Sequence, residues 1–116
     1  MSTDERLRVL RATRELGSFS DAQLLALLPH FDEQRVSTGA QLAVEGRLAH
    51  QFLIVAGGSL ETCRQGRAGK LGRGDTFGWR AMRDRGVNEA SVTALSPAHL
   101  LLMSHEQFRA VDGLAV

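Results

Sequence analysis

Ten of the twelve glycines in this 116-residue chain fall between residues 31 and 103. There they separate short apolar or alternating runs such as QFLIV and ASVTAL. Strands of about five residues divided by glycine turns are typical of an antiparallel sandwich or barrel. We therefore predict a mainly β fold for this region. Gly57 and Gly58, between FLIVA and SLETC, are predicted to form a hairpin connection.

Helix signals flank the strands on both sides. The segment TDERLRVLRATREL has apolar residues on one stripe, which predicts a first helix that stops at Gly17. Ser20 and Gln23 match a capping box for a second helix, and Ser104 and Gln107 repeat that pattern near the C-terminus. The chain thus divides into a helical segment over residues 1–30, strands over 31–103 and a closing helix over 104–116.

Composition and charge argue against several classes of protein. The chain is 43% apolar and 23% charged, as in an ordinary folded domain, and its net charge of +1 does not indicate a nucleic-acid surface. No apolar run approaches the ~20 residues of a membrane span, and the charged N-terminus lacks the apolar core of a signal peptide. The single cysteine, Cys63, suits a reducing compartment. We expect a cytoplasmic domain, or one module of a larger protein.

The residues that could support catalysis or metal binding are scattered. The histidines never occur at the spacings typical of metal sites; they are His30, His50, His99 and His105. We expect them at the surface or in turns. Cys63 has no neighbouring histidine to activate it, so a half-buried structural cysteine is the favoured interpretation. The sequence therefore predicts a protein that is not an enzyme and holds no metal.

One stretch stands apart: GRGDTFGWRAMRDRGVNEASV, residues 72–92. Gly78 would let backbone N–H groups approach an anion, and WRAM would begin a short helix. Arg80, Arg83 and Arg85 add positive charge, and Asp84 is the one acid among residues 80–85. Two interpretations remain open. The stretch is either an anion cradle or a glycine-rich β-corner with solvated arginines.

Taken in order, several segments resemble the cyclic nucleotide-binding domain of catabolite-activator-type regulators, cyclic-nucleotide-dependent kinases and gated channels. They are FSDAQLLALLPHFDEQRVSTGAQLAVEG, QFLIVAGGSLE, LGRGDTFG, ASVTAL and LLLMSHEQFRAV, which span about residues 19–111. The resemblance implies an eight-stranded antiparallel β-roll of jelly-roll, cupin-like type, with N-terminal helices and a C-terminal helix. A short helix between two strands, the phosphate cassette, would hold a cyclic nucleotide such as cAMP or cGMP.

In that family the cassette reads approximately F-G-E-x-A-L, followed by R-[AST]-A-[ST]-V. The glutamate binds the ribose 2′-hydroxyl and the arginine pairs with the cyclic phosphate. Here Trp79 stands at the glutamate position and Asn88 at the arginine position. The resemblance implies a ligand-binding set of Phe77, Gly78, Trp79, Arg80, Ala81, Met82, Asn88, Glu89, Ala90 and Ser91.

The family's glutamate and arginine, which we call the two side-chain clamps, are therefore both missing from the sequence. Without the charge-assisted pair to phosphate, binding should weaken by roughly 1.5–3 kcal/mol, and Glu89 would add repulsion. Trp79 could fill the sugar site as an apolar plug, stack on a ligand ring or lie exposed as a contact residue. Arg80, Arg83 or Arg85 could reach the phosphate instead of the missing arginine.

Two functions follow as hypotheses. The favoured one is a regulatory module with a degenerate pocket, acting without ligand through a protein partner, the remainder of a larger regulatory protein or self-association. The alternative is a sensor that still binds a cyclic nucleotide or another anion. In this family the helix after the roll commonly relays ligand binding to an effector. No helix-turn-helix follows it here, so DNA binding is not expected.

Overall fold

The β-roll is built from eight antiparallel strands in two four-stranded sheets, as predicted. The structure, a computed structural model, describes the backbone of residues 1–114 and the side chains of residues 1–111. The strands are β1 (Asp32–Val36), β2 (Gln41–Ala43), β3 (Gln51–Gly57), β4 (Leu60–Arg64), β5 (Arg67–Leu71), β6 (Thr76–Phe77), β7 (Ser91–Ala94) and β8 (Ala98–Ser104). One sheet has the order β1-β8-β3-β6, and the other has the order β2-β7-β4-β5.

Within residues 1–114 four α-helices accompany the sheets: α1 (Thr3–Ala12), α2 (Asp21–Leu27), α3 (Trp79–Asp84) and α4 (His105–Leu114). A single 3₁₀ turn, Leu28–His30, follows α2. Residues 115 and 116, which the sequence places in the closing helix, lie outside the described residues. No helix of the described part is long and apolar enough to cross a membrane.

Two hydrophobic cores share the central strands β3 and β8. Leu53 and Val55 belong to a core with residues of the other sheet, including Leu60 and Val92. The alternate residues Phe52 and Ile54 belong to a second core, which the helices cover. Successive strand residues point to opposite faces, so a strand buried on both faces needs a continuous apolar run. This explains why QFLIVAG shows no alternation.

The predicted helix caps are confirmed. Backbone N–H of Gln23 donates to Ser20 Oγ at 3.2 Å, and backbone N–H of Ser20 donates to Gln23 Oε1 at 2.9 Å. Ser104 and Gln107 make the same reciprocal pair at 3.3 and 2.7 Å. Each capping box joins residues three apart in the chain, so it can be recognised from the sequence alone.

The first helix is shorter than predicted, because it ends at Ala12 rather than near Gly17. The buried Thr13 leaves the helical conformation, with ψ of 151°. Its hydroxyl donates to the Leu10 carbonyl at 2.7 Å and accepts from Leu16 N–H at 3.1 Å. A threonine hydroxyl that bonds the backbone in this way competes with helix continuation.

The predicted hairpin at Gly57 and Gly58 is wrong. Strand β3 pairs with β6 and β8, whereas β4 pairs with β5 and β7, so these glycines carry the chain from one sheet to the other. Gly58 has φ of +82°, and a Cβ there would lie 2.4 Å from the Pro97 carbonyl oxygen. The glycine is needed because the crossing packs against the loop that precedes β8.

We expect Gly58→Ala to destabilise the fold more than Gly66→Ala. Both glycines have positive φ, +82° and +78°, but a Cβ at Gly66 meets nothing within 4 Å. Left-handed strain alone should cost roughly 1–2 kcal/mol at either site. The collision at Gly58 should add about 1–3 kcal/mol in the free energy of unfolding, measured by urea denaturation. Equal losses for the two variants would show that the crossing tolerates a side chain.

Candidate functional site

The cassette segment forms a strand, a glycine turn and a short helix against β3. Gly78 precedes α3 with φ of +99°, and a Cβ there would lie 2.8 Å from the Gln51 carbonyl oxygen. No larger residue could bring the chain this close to β3. Ala81 and Met82 form the buried face of α3, which agrees with their small and apolar positions in the motif. Phe77 pairs with Leu53 in the sheet.

The Trp79 side chain belongs to the core beneath the helices. Its ring lies edge-on to Phe52 at 5.1 Å and to Phe108 at 5.0 Å between ring centroids. Such edge-to-face pairs add stabilisation beyond the area they bury. The expectation that Trp79 is exposed is therefore wrong, because the half-buried ring joins α3 to β3 and α4.

Asn88, at the arginine position of the motif, is tied to the loop that follows β2. Only 8% of the residue is exposed. Its Nδ2 donates to the Val44 carbonyl oxygen at 3.1 Å. Its backbone N–H donates to the Arg47 carbonyl oxygen at 2.8 Å, and its own carbonyl oxygen accepts from Gly46 N–H at 3.0 Å. Asn88 thus fixes this loop through both its side chain and its backbone.

The next residues continue this connection. Glu89 is exposed and lines a cavity of about 150 Å³ at the start of α3, together with Gly78, Trp79 and Arg80. Ala90 is buried. Ser91 Oγ accepts from Glu45 N–H at 3.0 Å. Glu89 and Arg80 bring opposite charges to one small cavity, which weakens the positive field that a phosphate would need.

The three arginines proposed as replacements are exposed. Arg83 Nε lies 3.4 Å from Asp84 Oδ1, and Arg85 occupies the left-handed C-cap of α3. Arg80 alone of the three lines the cavity at the start of α3. The structure thus brings Phe77, Gly78, Trp79, Arg80, Ala81 and Glu89 together around this cavity and places Met82 and Asn88 in other contacts.

A larger cavity, of about 330 Å³, lies beside the cassette. Its walls come from β2 and from Val44, Arg47, Leu48, His50, Gln51, Leu53, Phe77 and Asn88. Arg47 and His50 bring basic groups to it. This cavity could not be predicted from sequence motifs, because its walls come from segments up to 47 residues apart, Gln41 to Asn88.

Arg109 is a second feature that motif reasoning missed. Its guanidinium, on α4, donates to the backbone carbonyls of Met82 and, at 3.4 Å, of Arg83 at the end of α3. The same group lies 5.3 Å from the centre of the Phe108 ring. A cation at a helix C-terminus is stabilising because the last carbonyls have no intrahelical partner. Arg109 therefore joins the cassette helix to the closing helix.

The remaining candidate residues form no cluster within the described part of the chain. No group of three or more His, Cys, Asp or Glu side chains there could hold a metal ion. Cys63 is half-buried in β4, as predicted. His50 is exposed, whereas His99 and His105 are half-buried, and His105 Nε2 lies 2.8 Å from the Ala49 carbonyl oxygen.

These features agree with a known protein family. A family model described as "Cyclic nucleotide-binding domain" matches residues 33–111. The chain belongs to the cyclic nucleotide-binding domain family. A comparison with curated proteins gives no significant match.

Several solved structures share the fold. The regulatory domain of Toxoplasma gondii PKA, solved with cAMP, superposes with a TM-score of 0.84 at 24% identity over 97% of this chain and 46% of that chain. A cyclic nucleotide-binding-like protein from Brucella abortus gives 0.80 at 20% identity, over 95% and 99% of the two chains. The N-terminal domain of a Streptomyces coelicolor transcriptional regulator gives 0.79 at 25% identity, over 92% and 84%.

The chain is thus similar in extent to single nucleotide-binding-domain structures. It spans less than half of the Toxoplasma chain. The Toxoplasma structure is that of a regulatory domain, and this chain shares its fold.

We expect Trp79→Glu, which places the family's glutamate in the cassette, to destabilise the domain. The change removes the ring from between Phe52 and Phe108. The free energy of unfolding should fall by about 2–4 kcal/mol in urea denaturation. Arg80→Glu, at the exposed neighbouring position, is the control and should change stability by less than about 0.5 kcal/mol. A loss below about 1 kcal/mol for Trp79→Glu would contradict the assigned packing.

Arg109→Ala should weaken the contact between α3 and α4. Two carbonyls at the end of α3 lose their charged donor, so the free energy of unfolding should fall by about 1.5–3 kcal/mol. Amide hydrogen exchange should accelerate in both helices. Arg85→Ala removes an exposed arginine next to α3 and serves as the control for charge. Exchange that accelerates in α4 alone would show that the two helices are not coupled.

Proposed function

We propose that this domain is a non-catalytic regulatory module that works without a cyclic nucleotide, in the cytoplasm, through a protein partner or the remainder of a larger protein. The observation that carries the proposal is the hydrogen bond from Asn88 Nδ2 to the Val44 carbonyl. The residue at the arginine position is occupied in holding the fold. An amide is also neutral, so it could not replace an arginine that pairs with phosphate.

The other side of the cassette supports the same proposal. Trp79, at the glutamate position, packs on Phe52 and Phe108, so no carboxylate is available there for a ribose hydroxyl. Glu89 lines the small cavity and would repel a phosphate. Losing the phosphate pair alone costs roughly 1.5–3 kcal/mol. Since 1.4 kcal/mol is a factor of ten, affinity should fall by one to two orders of magnitude.

We expect a protein partner to bind at α3 and its C-cap. Arg80, Arg83 and Arg85 are exposed there, and Arg109 connects this helix to α4. A cationic surface suits an acidic protein segment, since complementary charge guides association. Contact at α3 could then be relayed to α4 without any bound nucleotide.

The second candidate is a cyclic-nucleotide sensor. The Toxoplasma domain, which shares the fold at a TM-score of 0.84, was solved with cAMP. Gly78 also keeps the close turn before α3, where backbone N–H groups could meet a phosphate. In this alternative the backbone and Arg80 would suffice without the two side-chain clamps.

Restoring the clamps tests the proposal. We expect the wild type to show no calorimetric binding of 1 mM cAMP. The variant Trp79→Glu/Asn88→Arg should bind measurably, with a Kd at least tenfold below the weakest binding that the wild-type titration would detect. Asn88→Arg alone keeps the Trp79 packing and serves if the double variant is unstable. Val87→Arg is the control, because it adds the same charge at an exposed neighbouring position.

The outcomes separate the two candidates. Binding by the wild type as tight as by the restored variants would favour the sensor. If the restored variants fold, as judged by circular dichroism and urea denaturation, and still do not bind, the missing clamps are not the reason and the proposal is wrong in its mechanism.

A further inference from the structure

We propose that the open edge of strand β5 is a docking site for an extended acidic segment of another protein, which adds to the sheet as a further strand. β5 (Arg67–Leu71) ends the order β2-β7-β4-β5 and pairs with β4. No residue of β5 lines the cassette cavity or the larger cavity beside it. The proposal therefore stands apart from nucleotide binding.

The turn between β4 and β5 fixes which backbone groups face the open edge. Its two residues, 65 and 66, have φ of 51° and 78°, as a type I′ hairpin turn requires. Arg64 and Arg67, on either side of the turn, form the first hydrogen-bonded pair, and such pairs alternate along the ladder. Ala68 and Lys70 therefore point their N–H and C=O groups away from β4.

These outward backbone groups make no hydrogen bond to another element within residues 1–114. Ala68 and Lys70 are both exposed. Each offers one donor and one acceptor, which is the set that an added peptide strand satisfies. The phosphate oxygens of a nucleic acid or a lipid headgroup are acceptors alone and would leave these carbonyl groups unused. The backbone geometry therefore favours a peptide.

The charge of the edge indicates which peptide. Residues 64–73 contain four cations and no acid; the cations are Arg64, Arg67, Lys70 and Arg73. All four are exposed, and none forms an ion pair with the described side chains, residues 1–111. Arg64 lies directly opposite Arg67, and like charges in that arrangement destabilise a hairpin. An acidic strand beside β5 would relieve this repulsion.

The acids around the hairpin leave these cations available. The carboxylate of Glu45 accepts from the backbone N–H of Gln65 at 3.1 and 3.2 Å. The carboxylate of Asp75 accepts from the backbone N–H of Gly72 at 2.8 Å. Both acids thus fix the ends of the hairpin segment. Glu61, opposite Lys70 in the ladder, is half-buried and makes no ion pair with the side chains of residues 1–111.

The same charges disfavour a second copy of this chain as the occupant. Pairing of two β5 strands would bring the four cations of each copy into one small interface. Charged residues on an edge strand commonly prevent such self-association. An acidic segment instead meets complementary charge, which guides association and excludes other partners.

The test is a ¹H–¹⁵N NMR titration of the domain with the blocked peptide ETETETE, in which threonine favours the strand conformation. We expect saturable shifts at the amides of Ala68 and Lys70. The peptide KTKTKTK, with the opposite charge, should not bind. The peptide EPEPEPE keeps the charge but loses backbone donors, and it should bind at least about tenfold more weakly.

Two variants of the domain separate backbone pairing from charge. Ala68→Pro removes an outward N–H that does not bond to β4, and it should weaken binding of ETETETE at least about tenfold. Ala68→Thr keeps that N–H and is the matched control. Arg67→Glu reverses one charge at the edge and should weaken binding by about tenfold. Arg80→Gln removes an exposed arginine at α3 and should leave binding unchanged.

Four results would overturn the proposal. They are the absence of saturable shifts with ETETETE, equal binding of ETETETE and EPEPEPE, shifts confined to α3 that Arg80→Gln removes, and stronger binding of a DNA duplex or anionic lipid vesicles at the same amides. If Ala68→Pro does not fold, as judged by circular dichroism, the peptide series and Arg67→Glu still decide. None of these readouts depends on whether cAMP binds, so this proposal and the proposed function can fail separately.

Discussion

Strand β3 is buried on both faces, and the two hydrophobic cores of the domain meet along it. Leu53 and Val55 face the opposing sheet, while Phe52 and Ile54 face the helices. The cassette is positioned by the same strand, since Gly78 approaches the Gln51 carbonyl and Trp79 packs on Phe52. The position of α3 is therefore set by core packing, and a change in the cassette's first turn is also a change in the core.

On the proposal that the cassette is degenerate, this dependence explains how it keeps its shape without the family's glutamate and arginine. The glycine turn remains because the backbone must pass close to β3, whatever binds there. Trp79 makes edge-to-face contacts with Phe52 and Phe108, which stabilise the fold. Asn88 gains a hydrogen bond to Val44 in the same way. Both residues at the clamp positions now support the fold.

Local signals in the sequence predicted part of this structure. The capping boxes at Ser20 and Ser104 involve residues three apart, and the ordered glycine and apolar motifs indicated the β-roll. The sheet crossing at Gly57 and Gly58 was not predicted, because strand pairing depends on partners distant in sequence. The same reason applies to the direction of Trp79 and to the contact of Arg109 with α3.

On the proposed function, the wild-type cassette does not hold a cyclic nucleotide. A thermal-unfolding scan with millimolar cAMP, and then cGMP, tests it most directly, with calorimetric titration as the check. A ligand at about 100 times its Kd raises the free energy of unfolding by about 2.7 kcal/mol. Each kcal/mol raises Tm by about 4–8 °C in a small domain. We expect no shift in Tm with either nucleotide. A saturable rise in Tm, with matching heat of binding, would contradict it.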